Sequence, residues 1–146
     1  MTLKTNALHY YINGQWVAPH SSERMDIINP ATEKSVGQLA LADISDAESA
    51  IQSARKAFPS YSQTTPQERL ALLERILTVY EARLADLAQA ISMEMGAPGW
   101  VAEKAQAPLG MNHLKIGIAV MKEFQFTRPL NESLLVMEPV GVCALI

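Results

Sequence analysis

The sequence predicts an α/β protein, and three patterns in its 146 residues indicate that class. Near the N-terminus, turn dipeptides separate short runs rich in aromatic and β-branched residues, which is typical of β-hairpins. From residue 45 onward, apolar residues recur at the 3.6-residue spacing of amphipathic helices. Residues 140–146 are apolar apart from Gly141 and carry no charge, as in a strand buried on both faces of a parallel or mixed sheet.

Composition places the chain among globular proteins, with 49% apolar and 18% charged residues. The net charge of −3 gives no electrostatic reason to expect a nucleic acid or an anionic membrane as a partner. No stretch of about 20 apolar residues could span a bilayer, and the N-terminus lacks the apolar region of a signal peptide. The single cysteine, Cys143, is predicted to be a small buried hydrophobe. These features predict a soluble, cytoplasmic protein.

Two strand-turn-strand units are predicted before residue 40. Asn13-Gly14 favours the positive φ angles of a type I′ turn, so residues 10–12 and 15–17 are predicted to form a hairpin. Residues 25–28 and 35–39 are predicted to form a second unit around an Asn-Pro turn. The N-terminal layer is therefore expected to consist of short antiparallel strands.

Two capping boxes predict where the first two helices begin. Ser45 and Glu48 form one, and the helix that follows is expected to end at Pro59. Thr65 and Glu68 form the other, with proline at the first helical position between them. The apolar stripes of the two helices comprise Ala47, Ala50, Ile51, Ala54 and Phe58, and then Leu70, Leu73, Ile76, Leu77 and Tyr80.

Two further helices are predicted. The third covers residues 84–95, with Gly96 as its C-terminal cap. The fourth begins after Pro98 and runs toward Phe124, and Pro108 is expected to kink it or divide it in two. The apolar stripe in its later half is interpreted as core and comprises Met111, Leu114, Ile118 and Met121.

An apolar segment follows the fourth helix. From Leu134 to Met137 it is apolar on both faces, and such a strand at the margin of a domain would pair with another edge unless it were covered. Residues 133–137, beginning at Ser133, are therefore interpreted as an arm that pairs with another part of the complete protein or with another subunit. Because functional loops follow the carboxyl ends of strands in open α/β sheets, one is expected just past Ile146. The sequence is expected to be the opening part of a larger enzyme.

Motifs that carry chemistry are nearly absent from the sequence. His9, His20 and His113 each lack a second His or Cys at metal-ligand spacing. The glycines form neither a dinucleotide fingerprint nor a phosphate loop, and no nucleophile elbow or zinc-protease motif occurs. Glu94, near a predicted helix end, is interpreted from the residues alone as a solvated carboxylate.

Six segments together resemble the N-terminal part of the NAD(P)-dependent aldehyde dehydrogenase superfamily. They occur in that family's order and spacing and cover essentially the whole chain. They are Tyr-Ile-Asn-Gly-Gln-Trp-Val at 11–17, Ile-Asn-Pro-Ala-Thr at 28–32, the helix at 47–58, Thr-Pro-Gln-Glu-Arg at 65–69, Met-Glu-Met-Gly-Ala-Pro at 93–98 and Glu-Pro-Val-Gly-Val at 138–142.

The resemblance implies a fold made of β-hairpins, a helical layer, the start of a Rossmann-like sheet and an oligomerisation arm. Residues 1–124 would form the N-terminal part of the cofactor-binding domain, with the hairpins and four helices. Residues 125–138 would form the oligomerisation arm, and residues 139–146 the first strand of the sheet, cut short. The arm implies a homo-oligomer, a dimer or a tetramer.

The resemblance also implies that the complete protein oxidises aldehydes to carboxylic acids with NAD or NADP. In that family a thiolate attacks the aldehyde, hydride passes from the thiohemiacetal to the nicotinamide, and water activated by a carboxylate hydrolyses the thioester. The family's catalytic cysteine, general-base glutamate and oxyanion asparagine lie further along the chain than Ile146, and Cys143 falls well before the position of that cysteine. No catalytic residue is assigned here, and the 146 residues alone are expected to be inactive.

A few site positions carry over from the family residue by residue. The matching positions are Ile146 for contact with the cofactor, Ala105 and Leu109 for the aldehyde tunnel, and Ile27, Ile28 and Glu94 for a monovalent cation. In some relatives that cation is bound by backbone oxygens and one carboxylate.

Two other interpretations stay open. In one, the chain is a truncated, non-catalytic assembly or interaction module that docks its arm on full-length subunits. In the other, it is an unrelated α+β binding domain that shares these motifs by accident.

Overall fold

The computed structural model describes residues 7–145, which form three two-stranded antiparallel sheets and a layer of helices. The strands are β1 (Tyr10–Ile12), β2 (Gln15–Val17), β3 (Arg24–Asn29), β4 (Lys34–Ala40), β5 (Thr127–Leu130) and β6 (Ser133–Val136). The helices are α1 (Ile44–Tyr61), α2 (Pro66–Ala82), α3 (Leu84–Met95), the short α4 (Gly99–Val101) and α5 (Ala107–Glu123). A π-helical turn, Ala102–Gln106, joins α4 to α5. None of the described helices is both long enough and apolar enough to cross a membrane.

Both predicted N-terminal strand units are confirmed. Asn13 and Gly14 have φ angles of 54° and 76°, as a type I′ turn requires, and they connect β1 to β2. In the second unit, β3 pairs with β4, and the register shifts between Ile27 and Ile28. Ile27 lies opposite Gly37 and Ile28 opposite Ser35, so one residue of β4 is bulged at this point.

The N-cap of helix α1 is Asp43, two residues before the predicted cap. Asp43 accepts the backbone N–H of Asp46 at 3.0 Å, and the Asp46 carboxylate accepts the backbone N–H of Asp43 at 3.2 Å. The predicted Ser45 and Glu48 box is therefore wrong, although both pairs fit the capping pattern. The earlier start is favoured because Asp46 also accepts the backbone N–H of His20 at 2.9 Å, a contact between residues distant in sequence.

Pro59 does not end α1, which continues to Tyr61. A proline in the last turn of a helix removes one backbone hydrogen bond but leaves the following ones possible. Here the N–H of Ser62 donates to the carbonyl of Phe58 at 2.8 Å and closes the helix beyond the proline.

The predicted start of α2 and the predicted C-terminal cap of α3 are confirmed. Thr65 accepts the N–H of Glu68 at 3.2 Å, and the Glu68 carboxylate accepts the N–H of Thr65 at 2.7 Å. Helix α3 ends at Gly96, which has a φ of 68°. An added Cβ at Gly96 would lie 2.8 Å from Cγ of Pro30, so glycine is required there both for its backbone angle and for the close approach of the β3–β4 turn.

The core is small and made mainly of alanine. Ala102 and Ala107 are fully buried and Ala88 nearly so, between α3, the π-helical turn and α5. The predicted stripe in α5 is confirmed, since Ile118 is buried and Met111, Leu114 and Met121 are half-buried. No large side chain is fully buried among residues 7–145. In α1 only Phe58 of the predicted stripe is partly buried, so most of this apolar face is exposed.

The predicted last strand is not formed. Residues 139–145 have no strand partner among the described residues, and Val140 and Leu145 are 92% and 98% exposed. Cys143, predicted to be buried, is exposed. A strand buried on both faces needs neighbouring strands and covering layers, and the described part of the chain supplies neither. The segment instead lies beside α1, where both line one groove.

The arm predicted at residues 125–138 contains a complete hairpin, formed by β5 and β6. The apolar segment from Leu134 was predicted as a strand and forms β6, whereas β5 was not predicted. Pro129 lies within β5, which pairs on one side only, and proline is tolerated on such an edge strand. The hairpin turns at Asn131, which has a φ of 54°. Leu134 is 69% exposed, and its neighbours Leu130, Val136 and Met137 are exposed or half-buried, so the arm presents apolar side chains to its surroundings.

Candidate functional site

The candidate site is built on the junction between α4 and α5. Pro108 has no N–H, and its ring would clash with a carbonyl in the preceding turn of an unbroken α-helix. The chain widens here into a π-helical turn, in which the N–H of Ala107 donates to the carbonyl of Ala102, five residues earlier. The predicted division near Pro108 is therefore confirmed, and its form is a π-turn that places the proline in the first turn of α5.

Tyr80 of α2 holds this junction from the opposite helix. Its hydroxyl donates to the backbone carbonyl of Ala107 at 2.9 Å. Gly110, one turn further along α5, makes room for it. A Cβ at residue 110 would lie 3.1 Å from Cζ of Tyr80 and would overlap its hydroxyl oxygen. The Tyr80 ring therefore packs directly on the backbone of α5.

Two ion pairs extend the contact between α2 and α5. Lys115 lies 2.8 Å from the Glu81 carboxylate, and Lys122 lies 3.0 Å from that of Glu74. All four side chains are about half exposed, so each pair contributes only about 0.2–1 kcal/mol. They lie along the contact of two antiparallel helices, and the Tyr80 hydrogen bond lies at its partly buried end.

Ala105 and Leu109, the predicted tunnel residues, lie on either side of Ala107. Ala105 belongs to the π-helical turn and Leu109 to the first turn of α5. Both side chains are exposed, and Leu109 is 56% exposed. They thus face away from the alanine core and are accessible to a ligand or to another part of a larger protein.

The predicted cation residues lie on two elements that pack together. Glu94 is in the last turn of α3, and Gly96 at the end of α3 contacts Pro30, which follows β3. Ile27 and Ile28 are at the register shift of β3. Glu94 is exposed and has no ion-pair partner in the described part of the chain. Within residues 7–145, no group of three or more His, Cys, Asp or Glu side chains could hold a metal ion.

The end of the chain contributes one predicted site residue, Ile146, which lies outside the described residues. The thiol of Cys143 just before it is exposed, and its nearest hydrogen-bond acceptor is the carbonyl of Gly141 at 3.9 Å. Cys143 lies in the groove beside α1.

Two residues of the junction were missed by sequence reasoning. Tyr80 was assigned only to an apolar stripe, and Gly110 was not singled out. The available signal was a glycine inside a helical pattern two residues after a proline. An isolated glycine in a helix interior usually has a packing reason, because alanine is a better helix former.

Comparison with known proteins gives a consistent result. Residues 16–146 match the sequence model described as the Aldehyde dehydrogenase family. A relative named 3-succinoylsemialdehyde-pyridine dehydrogenase, from a Pseudomonas species, is 40% identical over 138 residues, which are 94% of this chain and 29% of that protein. The likeness is therefore not accidental, and the interpretation as an unrelated binding domain is wrong.

Solved structures show the same relation. An aldehyde dehydrogenase from Bartonella henselae is 42% identical, with a TM-score of 0.83, and the match covers 85% of this chain and 26% of that one. A mutant of aldehyde dehydrogenase C from Pseudomonas syringae, in complex with NAD+ and octanal, is 34% identical, with a TM-score of 0.85. The match covers 90% of this chain and 27% of that one.

The matched share of the other protein is similar in these comparisons. The chain spans less than a third of the length of the relatives and structures that it matches. Because the family match extends over nearly all of the sequence, this chain belongs to the aldehyde dehydrogenase family.

Proposed function

We propose that this chain supplies the N-terminal part of an NAD- or NADP-dependent enzyme that oxidises aldehydes to carboxylic acids. The observation that carries the proposal is the family match over residues 16–146, in a chain that spans 29% of a relative named as a semialdehyde dehydrogenase. An NAD+ complex among the similar structures supports a nicotinamide cofactor.

The surface of the chain supports a role within a larger structure. Its accessible area is 11142 Å². A compact monomer of 16.0 kDa is expected to expose roughly 7,400 Å². The excess includes the apolar face of α1, residues 139–145 and the arm. These are surfaces that a larger fold would cover, since long apolar faces are rarely left in water.

The catalytic groups are proposed to come from other parts of the complete enzyme. No residue of this chain is assigned as nucleophile, general base or oxyanion donor, and the chain alone is proposed to be inactive. The bound nicotinamide would accept a hydride from the substrate. The chain's own contribution is to position α5 and the tunnel residues that it carries.

Ala105 and Leu109 are proposed to line the path of the aldehyde. Both are apolar, exposed and placed on a junction whose backbone is fixed by Tyr80. Apolar lining with few polar groups suits the carbon chain of an aldehyde. A π-helical turn beside them is in keeping with this assignment, since such turns occur often at functional sites.

Enlarging Leu109 tests the tunnel. In the complete enzyme, Leu109→Phe should lower kcat/KM for a long aldehyde such as octanal relative to a short one such as propanal by about tenfold, because one altered apolar contact changes selectivity on that scale. Steady-state NADH formation gives both values. Ile44→Phe, at an exposed apolar position in the first turn of α1, is the matched control. An unchanged ratio in Leu109→Phe removes this residue from the tunnel.

A monovalent cation is proposed to bind near Glu94 and the backbone oxygens of Ile27 and Ile28. The packing of α3 against β3 and the unpaired carboxylate support it. Crystals of the complete enzyme soaked in rubidium chloride should show an anomalous peak beside Glu94. The peak should be absent in Glu94→Gln, and its absence from the unaltered protein ends the assignment.

The exposed arm favours a second role in assembly. We propose that residues 133–137 join subunits of a homo-oligomer, with no role for nucleic acid or membrane. The same feature keeps a second function open for a product of this length, which would dock its arm on full-length subunits without catalysing a reaction.

The intact mass of the protein purified from its source separates the two functions. A mass well above 16.0 kDa together with aldehyde-dependent NAD(P) reduction supports the enzyme. A mass equal to that of the 146 residues, with no reduction of NAD or NADP, contradicts the enzyme and favours the assembly module. The cytoplasmic location predicted from composition stays a prediction, which cell fractionation would check on the same material.

A further inference from the structure

We propose that Tyr80 is a positioning residue for the aldehyde path, which it serves by holding the backbone of the α4–α5 junction. Gly110 is the second part of this device, because it leaves the space that the Tyr80 hydroxyl occupies. The inference rests on the proposed function, in which Ala105 and Leu109 line the path.

The hydrogen bond of Tyr80 is placed midway between the two lining residues. Its acceptor is the carbonyl of Ala107, two residues after Ala105 and two before Leu109. Ala107 is fully buried, and the hydrogen bond is partly buried. Loss of the hydroxyl would leave this carbonyl with one partner fewer. A shift of the Ala107 backbone moves both lining residues together.

The junction is also held by the packing of Ala102 and Ala107 against α3, but it has few polar restraints among the described residues. Neither the π-helical turn nor α5 begins with a side-chain cap. Pro108 removes one backbone donor from the same turn. The ion pairs of Glu81 and Glu74 lie further along α5 and are half exposed. Tyr80 thus ties this junction to α2, in addition to the packing of the junction on α3.

The two glycines of α5 show why residue 110 is special. A Cβ at Gly117 would meet nothing within 4 Å, whereas a Cβ at Gly110 would overlap the Tyr80 hydroxyl. Alanine is the stronger helix former at both positions. The penalty for alanine at 110 therefore comes from Tyr80, and the same change at 117 serves as its matched control.

The experiment compares Tyr80→Phe, Gly110→Ala and the double variant in the complete enzyme. The controls are Gly117→Ala and Tyr61→Phe, the latter an exposed tyrosine on α1. The readout is the ratio of kcat/KM for octanal to that for propanal, with the thermal midpoint measured alongside. A purely structural role would lower the midpoint and total activity without moving the ratio.

Tyr80→Phe and Gly110→Ala are each expected to change this ratio by about threefold to tenfold, since displacements of 1 Å or less matter on that scale. The controls should leave the ratio unchanged. Gly110→Ala should have a smaller effect in the Tyr80→Phe background, because the overlapping hydroxyl is then missing. This coupling is specific to direct contact between the two residues.

The outcomes separate this inference from the function on which it rests. An unchanged ratio in both variants, with a changed ratio in Leu109→Phe, overturns the role of Tyr80 and leaves the tunnel in place. An unchanged ratio in all three overturns the tunnel, and the inference with it. Additive effects of the two single variants also contradict the proposed contact.

Discussion

His20 and Asp43 form a paired contact at the N-terminus of α1. The imidazole Nδ1 of His20 lies 2.6 Å from the Asp43 carboxylate. This hydrogen bond and the negative charge of Asp43 raise the pKa of His20 above its ordinary value of 6.5. The hydrogen bond from the backbone N–H of Asp46 lowers the pKa of the Asp43 carboxyl below its ordinary value of 3.8, and the hydrogen bond from His20 lowers it further. Each partner therefore favours the charged form of the other.

The contact predicts a pH dependence of stability. His20 stabilises the folded chain fully below pH 6.5 and loses that contribution as pH rises through its raised folded-state pKa. Asp43 contributes above pH 3.8 and loses its contribution as pH falls through its lowered pKa. The pair should stabilise most between these two values. Thermal midpoints from pH 4 to 9 should show this maximum, and it should be reduced in His20→Gln.

His113→Gln is the control for this titration, since His113 is exposed on α5 and makes no recorded ion pair in the described residues. Its stability profile should follow that of the unaltered protein. NMR titration of the His20 ring gives a direct check. A folded-state pKa at or below 6.5 would contradict the pairing.

At the scale of elements, caps decide where helices begin. At the start of α2, the Thr65 hydroxyl accepts a hydrogen bond from the backbone N–H of Glu68. The backbone carbonyl of Thr64 accepts another from the Arg69 guanidinium. Thr65→Ala should lower the free energy of unfolding by about 1 kcal/mol, because it leaves a first-turn N–H without its acceptor. Chemical denaturation measures the change.

Thr78→Ala is the matched control within the same helix. The Thr78 hydroxyl donates back to the carbonyl of Glu74, so it stabilises no orphan group at a helix end. This variant should be neutral or slightly more stable, since alanine is the better residue in a helix interior. Equal destabilisation by both variants would show that the cap contributes little.

Elements fixed by contacts between sequence neighbours could be predicted, whereas those fixed by residues distant in sequence could not. The Asn13-Gly14 turn, the Thr65 cap and the left-handed backbone at Gly96 depend on neighbours within a few residues, and sequence reasoning placed them correctly. The start of α1 depends on His20, which is more than 20 residues away from Asp46. Two local patterns were equally good there, and only the distant contact selects one of them.

The candidate site was predictable only through resemblance. Ala105 and Leu109 carry no chemistry that spacing or charge could reveal, since both are simple apolar side chains. The Tyr80 contact with Ala107 joins residues 27 positions apart and depends on a π-helical turn. Sequence patterns predicted a break near Pro108 but not which side chain would hold the two parts together.

At the scale of the whole molecule, the arm makes a testable interface. Leu134→Glu would place a charge in a strand whose apolar side chains are exposed in the isolated chain. We expect a dimeric enzyme to dissociate to monomers, or a tetrameric one to dimers, because burying an unpaired carboxylate is costly. Sedimentation velocity would measure the change. Thr78→Glu, at an exposed polar position, should leave the assembly unchanged. Retention of the oligomer in Leu134→Glu would exclude this part of the arm as the interface.

The largest difference between prediction and structure is also at this scale. The apolar run at residues 140–146 has the composition of a central strand, yet its described residues pair with no other strand. Composition reports the environment for which a segment is suited, whereas a sheet forms only when its neighbours are present. The same reason leaves the face of α1 open and the core limited to alanines.

The open face of α1 has a consequence for synthesis in the cell. In an enzyme built as we propose, the N-terminal part leaves the ribosome first, and the remaining two thirds take on the order of tens of seconds to follow. During that time the α1 face and residues 139–145 are uncovered, which is the condition under which nascent chains aggregate or recruit chaperones. Translation speed downstream of this segment should therefore influence the yield of active enzyme.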